Sequence, residues 1–280
     1  MAVCGQIFTV VVTEPGEVWA WGVGDEGQLG LNAREHQLLP AFVAGREVFG
    51  ARMVMVAAGG LHLAGVTADG TLLTWGRGAE GQLGYGDVQE RLRPEQIGRE
   101  LPGGWSVLML ACGSWHTLVL TMGGLWTCGK GEYGVLGHGD EVDKLMLTQV
   151  AAQRFEGNAQ IIMVAAGGVH SVGVGAEGGV WTWGRGWCLG HNEMQDRHAP
   201  MLLGAVFDGG KTVMVAAGGG HTVAVTSKGN LWAWFIYESG QLGTAGPSNS
   251  SWHPHWWGGA TCLGGRQCEW RPVASSTPWL

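Results

Sequence analysis

Residues 18–30 read VWAWGVGDEGQLG. Gly22, Gly24 and Gly27 have the G-x-G-x-x-G spacing of a dinucleotide-binding loop, and how this stretch is read decides the fold. A phosphate loop of that kind occurs once, between a strand and a helix, with an acidic residue about 20 positions on. Here the same spacing returns at Gly76 and Gly129, in LLTWGRGAEGQLG (72–84) and LWTCGKGEYGVLG (125–137). A shortened copy, VWTWGRGWCLG, spans 180–190, and a decayed one, LWAWFIYESGQLG, spans 231–243 with Phe235 and Tyr237 in place of the first two glycines. Each intact copy runs on into Gln/Val-Leu-Gly and a polar loop, not into a helix, so a pyrophosphate site is rejected and no cofactor is expected.

The copies are in phase. The leucines before the last glycine, Leu29, Leu83, Leu136, Leu189 and Leu242, are spaced 54, 53, 53 and 53 residues apart. A second line keeps the same period: VCGQIFTVVV (3–12), AAGGLHLAGV (57–66), ACGSWHTLVL (111–120), AAGGVHSVGV (165–174) and AAGGGHTVAV (216–225). It places His62, His116, His170 and His221 at one position, which Phe8 takes in the first copy. Pro40, Pro94 and Pro200 form a third line. Between the His strand and the Trp strand lie glycine-bearing turns (EPGE, ADGT, MGGL, EGGV, SKGN) of the tight hairpin type. The Trp-x-Trp alternation of the second strand, as in Trp19 and Trp21, puts both rings on one face, and that face is expected to point inward. Glycine makes up 52 of 280 residues with no every-third-residue period, as many short strands joined by tight turns require. The unit of about four strands and no helix predicts an all-β protein, a β-propeller of four-stranded blades with about five repeats present.

These lines resemble the regulator of chromosome condensation family. The matching residues are Gly59-Gly60-x-His62, Asp69-Gly70, Trp75-Gly76-x-Gly78 and Gly81-Gln82-Leu83-Gly84, with counterparts in the other copies. The resemblance covers residues 1 to about 245 and implies a seven-bladed propeller. Seven such blades need roughly 370 residues, so the expectation is an incomplete or open ring, a fragment with an exposed edge. The division expected is 1–246 for the propeller repeats and 247–280 for a Trp-rich, non-repeating and unstructured tail.

Composition excludes several functions. Net charge is −7 and only 14% of residues are charged, without a basic block, so direct nucleic-acid binding is not expected. No run of eighteen apolar residues occurs, and no membrane span is expected. The six cysteines have neither zinc nor redox spacing; they read as free thiols of a reducing compartment and suggest an intracellular protein, cytoplasmic or nuclear. The repeated histidines read as structural hydrogen-bonding residues rather than a metal ring, because zinc needs its ligands within about 2 Å of one ion. No nucleophile accompanies them, so covalent catalysis is not expected.

Charge concentrates in the loops after each Leu-Gly. Segments 31–39, 85–93, 138–146 and 191–199 hold 13 charged residues in 36 positions. Falling at one point of every repeat, they predict a shared face. The candidate interaction residues are Arg34, Glu35, Asp87, Glu90, Arg91, Arg93, Asp140, Glu141, Asp143, Lys144, Glu193, Asp196 and Arg197. The bland alternative is a set of solvated loops.

The resemblance implies protein partners: a small GTPase, as for the family's Ran exchange factor, or a ubiquitin-pathway component, as for its HECT-type ligases. The expected function is a regulatory or scaffolding propeller. Guanine nucleotide exchange is the alternative, although no long inserted wedge and no basic tail stand in the sequence. Ultraviolet-B perception is a third reading. That branch of the family carries Gly-Trp-Arg-His-Thr. The nearest stretch here, Gly113-Ser114-Trp115-His116-Thr117, has Trp one position late and no Arg, so the Trp–Arg pair is not expected to form in that way.

Overall fold

A computed structural model describes residues 1–98, 107–203, 207 and 209–234, together with the backbone of 255–257, 261–262 and 266–267. Five four-stranded antiparallel sheets follow one another along the chain, each strand pairing with its neighbour in sequence. Blade 1 comprises Ala2–Cys4, Phe8–Val12, Val18–Gly22 and Gln37–Ala44. Blade 2 comprises Met53–Ala58, His62–Thr67, Leu72–Gly76 and Arg91–Gln96. Blade 3 comprises Val107–Cys112, His116–Thr121, Gly124–Gly129 and Lys144–Gln149. Blade 4 comprises Ile161–Ala166, His170–Gly175, Val180–Gly184 and Arg197–Leu203. Blade 5 comprises Thr212–Ala217, Thr222–Thr226, Leu231–Trp234 and His255–Trp257. This is the β-propeller architecture that the repeat implied, and the five sheets do not close into a ring. The last of these strands lies within the 247–280 stretch read as a tail, and its main chain pairs with Leu231–Ala233.

The hydrophobic core lies between blades, not within them. Each cluster of buried side chains joins two consecutive sheets. Alternate residues of one strand therefore serve opposite seams: Leu118 packs toward blade 4 and its neighbour Val119 toward blade 2. The second strands of blades 2, 3 and 4 are buried at every residue. In blades 1 and 5 burial alternates, because among the described residues a neighbouring blade covers only one face of the sheet.

That difference corrects the reading of Trp19 and Trp21. Both rings share a face as expected, but both are only half-buried, whereas Trp75, Trp183 and Trp234 are fully buried. The Trp of one blade packs on the blade before it: Trp75 Nε1 donates to the Gln28 carbonyl (3.2 Å) and Trp183 Nε1 to the Val135 carbonyl (2.8 Å). No described blade precedes blade 1. Trp19 instead packs edge-on against Phe42 of its own sheet, with centroids 5.4 Å apart.

The histidines join the same seams. His62 Nε2 lies 2.8 Å from Thr117 Oγ1, and that hydroxyl donates to the Gln82 carbonyl at 2.8 Å. Its single proton is thus committed, so the hydroxyl accepts from an Nε2–H and the imidazole is the neutral Nε2–H tautomer. His116 and Ser171 repeat the arrangement at 3.0 Å, with Ser171 donating to the Val135 carbonyl at 2.8 Å. His170 and Thr222 are 2.8 Å apart.

The glycine loop is the socket of the seam. At Gly27, Gly81 and Gly134 φ is +73°, +78° and +75°, a region costly for any residue with a Cβ. The fourth strand of the next blade also presses on them. A Cβ at Gly81 would come within 2.7 Å of Leu145 Cα, and one at Gly134 within 2.2 Å of His198 Cα. Leu38, the blade 1 counterpart of Leu145, is 93% exposed.

Two outcomes follow. Gly50 has φ +76° with open space where a Cβ would go, so Gly50→Ala should cost about 1 kcal/mol. Gly81→Ala adds backbone overlap and should cost about 3 kcal/mol or more in chemical denaturation; equal costs would refute the socket. Burial pushes the imidazole pKa of His62, His116 and His170 down to about 3. The unfolded chain binds these protons below about pH 6.5 and the folded chain does not. Stability should therefore be complete above pH 6.5 and fall between 6.5 and 3, by about 1.4 kcal/mol per pH unit for each histidine. Denaturation curves at stepped pH check this.

Candidate interaction face

In a four-strand meander the first and third connections emerge on one side of the sheet. The Gly-Gly-x-His turn is the first connection, while the glycine loop and the polar loop together form the third. All the candidate charged residues therefore lie on one face or rim, except those that reach into the fourth strand.

Most of these charges are paired with one another. Asp87 and Arg91 (2.8 Å), Asp140 and Lys144 (3.3 Å), and Glu193 and Arg197 form the same i,i+4 ion pair in successive blades. Arg34 pairs with Glu90 across the first seam, and Glu141 with His198 (3.2 Å) across the third. Arg93 reaches Glu95 at 3.5 Å. Burial opposes ionisation of Asp87, but the Arg91 guanidinium and the Gln89 amide outweigh it and hold the carboxyl below its usual range. Asp143 and Asp196 fasten the loop: their Oδ1 atoms accept from the Gly131 and Gly186 amides, both at 2.8 Å. Glu35 is exposed, and its side chain has no partner among the described residues.

A second line of charge on this face went unread in the sequence. The x of Trp-Gly-x-Gly is Arg77, Lys130 and Arg185 in blades 2, 3 and 4. Arg77 is clamped by Glu26 (3.1 Å) and Glu80 (3.2 Å), and its guanidinium lies 5.0 Å from the Trp115 ring centroid. A Trp–Arg stack is therefore present, although the strand bearing Trp115 supplies no arginine; the preceding blade supplies it. Lys130 pairs with Glu132 at 2.7 Å. Arg185 lies 4.7 Å from the Tyr133 centroid and 5.0 Å from that of Trp187. The internal phase of the repeats was the signal that could have found this line.

Among the described residues no group of three or more His, Cys, Asp or Glu side chains is placed to hold a metal ion, and no helix is long and apolar enough to cross a membrane. Cys112, Cys128 and Cys188 are buried free thiols and Cys4 an exposed one. Cys128 stands in the Trp position and its thiol donates to the Gln82 carbonyl at 3.4 Å, as the indole does in other blades.

Repeated four-stranded sheets with glycine sockets and His–hydroxyl seams define a propeller of the regulator of chromosome condensation type. The model of the RCC1-like domain matches residues 1–266, and the chain belongs to that family. It is 38% identical over 243 residues to the ultraviolet-B receptor UVR8 of Arabidopsis thaliana, covering 86% of this chain and 53% of the receptor. It is 34% identical over 244 residues to the human E3 ubiquitin-protein ligase HERC2, covering 85% of this chain and 5% of the ligase. The chain thus spans about half the length of the first relative and a small part of the second. Among solved structures, human WBSCR16 superposes with a TM-score of 0.72 at 26% identity, covering 81% of this chain and 57% of that one. Prp20p of Saccharomyces cerevisiae superposes at 0.65 and 21% identity, covering 91% and 76%, and shares the fold.

Asp143→Ala frees the buried Gly131 amide and should cost about 1–2 kcal/mol. Glu35→Ala, touching nothing, should stay within about 0.5 kcal/mol. Thermal melts of the two variants distinguish a loop fastener from a free surface charge.

Proposed function

We propose that this propeller is a protein-interaction platform with a regulatory or scaffolding role and no covalent catalysis, acting inside the cell, in cytoplasm or nucleus. The observation that supports it is the in-phase placement of the charged loops on one face, with those of blades 3 and 4 fixed to their blades by Asp143 and Asp196. A rigid scaffold that presents variable loops is a common basis of binding. The hydroxyls beside His62 and His116 are not available as nucleophiles: Thr117 and Ser171 each accept from an imidazole Nε2–H and donate to a loop carbonyl, while the Nδ1 atom of His62 is buried without a hydrogen-bond partner among the described residues.

Proteins as partners fit the relatives. HERC2 is named as a ubiquitin ligase, and Prp20p is described by its binding to Gsp1p and histones. Guanine nucleotide exchange on a small GTPase is the second reading, supported by that fold neighbour.

Asp140 is half-buried and accepts from the Val142 amide at 3.1 Å, and Glu141 is exposed; Asp140→Lys with Glu141→Lys reverses the charge while the Asp143 contact to the Gly131 amide stays in place. Affinity capture with this double variant should recover partner proteins at less than half the wild-type level. Unchanged recovery would remove the blade 3 loop from the interface. Saturable acceleration of nucleotide release from any member of a small-GTPase panel would replace the scaffold reading with the exchange reading.

A further inference from the structure

The repeats supply an internal control for each side chain of the glycine loop. Arg77 in blade 2 has two carboxylates: Glu80, three residues on in its own loop, and Glu26 in the loop of the preceding blade. Both are changed around Arg185 in blade 4. The loop from Gly184 to Gly190 is two residues shorter than that from Gly76 to Gly84, and the counterpart of Glu80 is deleted. The counterpart of Glu26 is Tyr133. Two aromatic rings, Tyr133 and Trp187, stand where the clamp was, and the guanidinium lies close to both. Among the described residues no carboxylate oxygen comes within 4.0 Å of the guanidinium, and none of its N–H groups is hydrogen-bonded.

Two further observations mark the place. Tyr133 has φ +61°, left-handed for a residue with a Cβ, while Glu26 and Glu80 at the same position do not. A non-glycine residue held there is strained, and such strain gathers at functional sites. Tyr133 also lines a shallow cleft on the seam of blades 3 and 4, with Trp115, Lys130 and Val169. The Val169 carbonyl accepts from the Arg185 main-chain amide at 2.9 Å, so Arg185 borders that cleft.

We infer that Arg185, stacked against Tyr133 and Trp187, is a recognition site for a single carboxylate side chain on a partner protein, flanked there by apolar residues that enter the cleft. A guanidinium fixed on aromatic faces keeps its fork of donors turned outward, and the fork matches a carboxylate in two parallel bonds. One negative charge fits better than several, since Glu132 and Asp196 are close enough to act on the same groups through space. Acidic tracts and phosphate dianions are disfavoured for that reason. Trp115, Val135, Val169 and the Tyr133 ring of the cleft wall favour apolar neighbours of the acid, and the charged pair in the same wall, Lys130 and Glu132, is neutralised internally. The inference rests on the interaction-platform reading but uses residues apart from the charged loops, so either can fail alone.

The test uses the full chain and the N-acetylated, C-amidated peptide Gly-Leu-Glu-Leu-Gly, followed by tryptophan fluorescence. Saturable binding is expected, weakened at least tenfold when Gln replaces the peptide Glu, and equally by Arg185→Ala. Arg185→Lys should recover only part of it, because an ammonium lacks the fork. Arg77→Ala should bind as the wild type does. Tyr133→Gly should raise the melting temperature and still weaken binding several-fold, a split that a purely structural tyrosine would not produce. Equal binding of the Glu and Gln peptides, or wild-type affinity in Arg185→Ala with an unchanged melt, overturns the site. Displacement of the peptide by equimolar inorganic phosphate overturns the carboxylate assignment.

Discussion

The structure depends on one small relay. At the seams before blades 3 and 4 a hydroxyl is inserted between two groups of the preceding blade: it accepts from a buried imidazole Nε2–H and donates to a loop carbonyl. The indole of the Trp strand meets the same carbonyl at the Val135 seam, and the Cys128 thiol does so at Gln82. These groups are buried, so each would be costly if left unpaired, and only one mutual placement of two sheets satisfies them all. Hydrophobic burial supplies the driving force for stacking, but it is non-directional. The relay sets the register. The first seam confirms this by its exception: Phe8 replaces the imidazole there, Leu63 replaces the hydroxyl, and the pair is buried as an apolar contact. Polar partner answers polar partner, and apolar answers apolar, within a single chain.

Much of this was legible because repetition turns one sequence into several aligned ones. The 53-residue phase, the period-2 Trp alternation and the glycine turns gave the strand order and the blade. The face opposite the tryptophans could not be read, because period 2 says which residues share a face and not which element covers it. Trp19 and Trp181 are equivalent in pattern, yet Trp181 is buried at 5% exposure and Trp19 is not. The difference lies in whether a preceding blade is present, and that is a property of the stack, not of the strand.

The charged loops show the opposite failure. Their residues were found by position, but position could not say that Asp87, Asp140 and Glu193 close i,i+4 pairs, or that Asp143 and Asp196 tie down main-chain amides. Ion pairs at exposed positions contribute little stability, typically below about 1 kcal/mol. Their consequence is to fix the loop shape and to leave few charges free for a partner. A high density of charge is thus a poor guide to a binding surface, and an unpaired charge in a fixed setting is a better one.

That criterion separates the two arginines of the Trp-Gly-x-Gly line. In both, the glycines around the side chain are dictated by the approach of the next blade: a Cβ at Gly78 would meet the Gln89 carbonyl at 2.0 Å, and one at Gly186 the Met194 carbonyl at 2.1 Å. The backbone is therefore not free to vary, and the intervening residue is. Where the seam requires a residue, the blades agree, or replace both partners together as Phe8 and Leu63 do. Where they disagree with no compensating change, as when two carboxylates give way to a tyrosine in a left-handed conformation and a tryptophan, the seam does not explain the difference. Such a departure retains strain that glycine at residue 133 would relieve. A repeat protein in this way carries its own reference state, against which each blade's departures mark the places where something other than folding sets the residue.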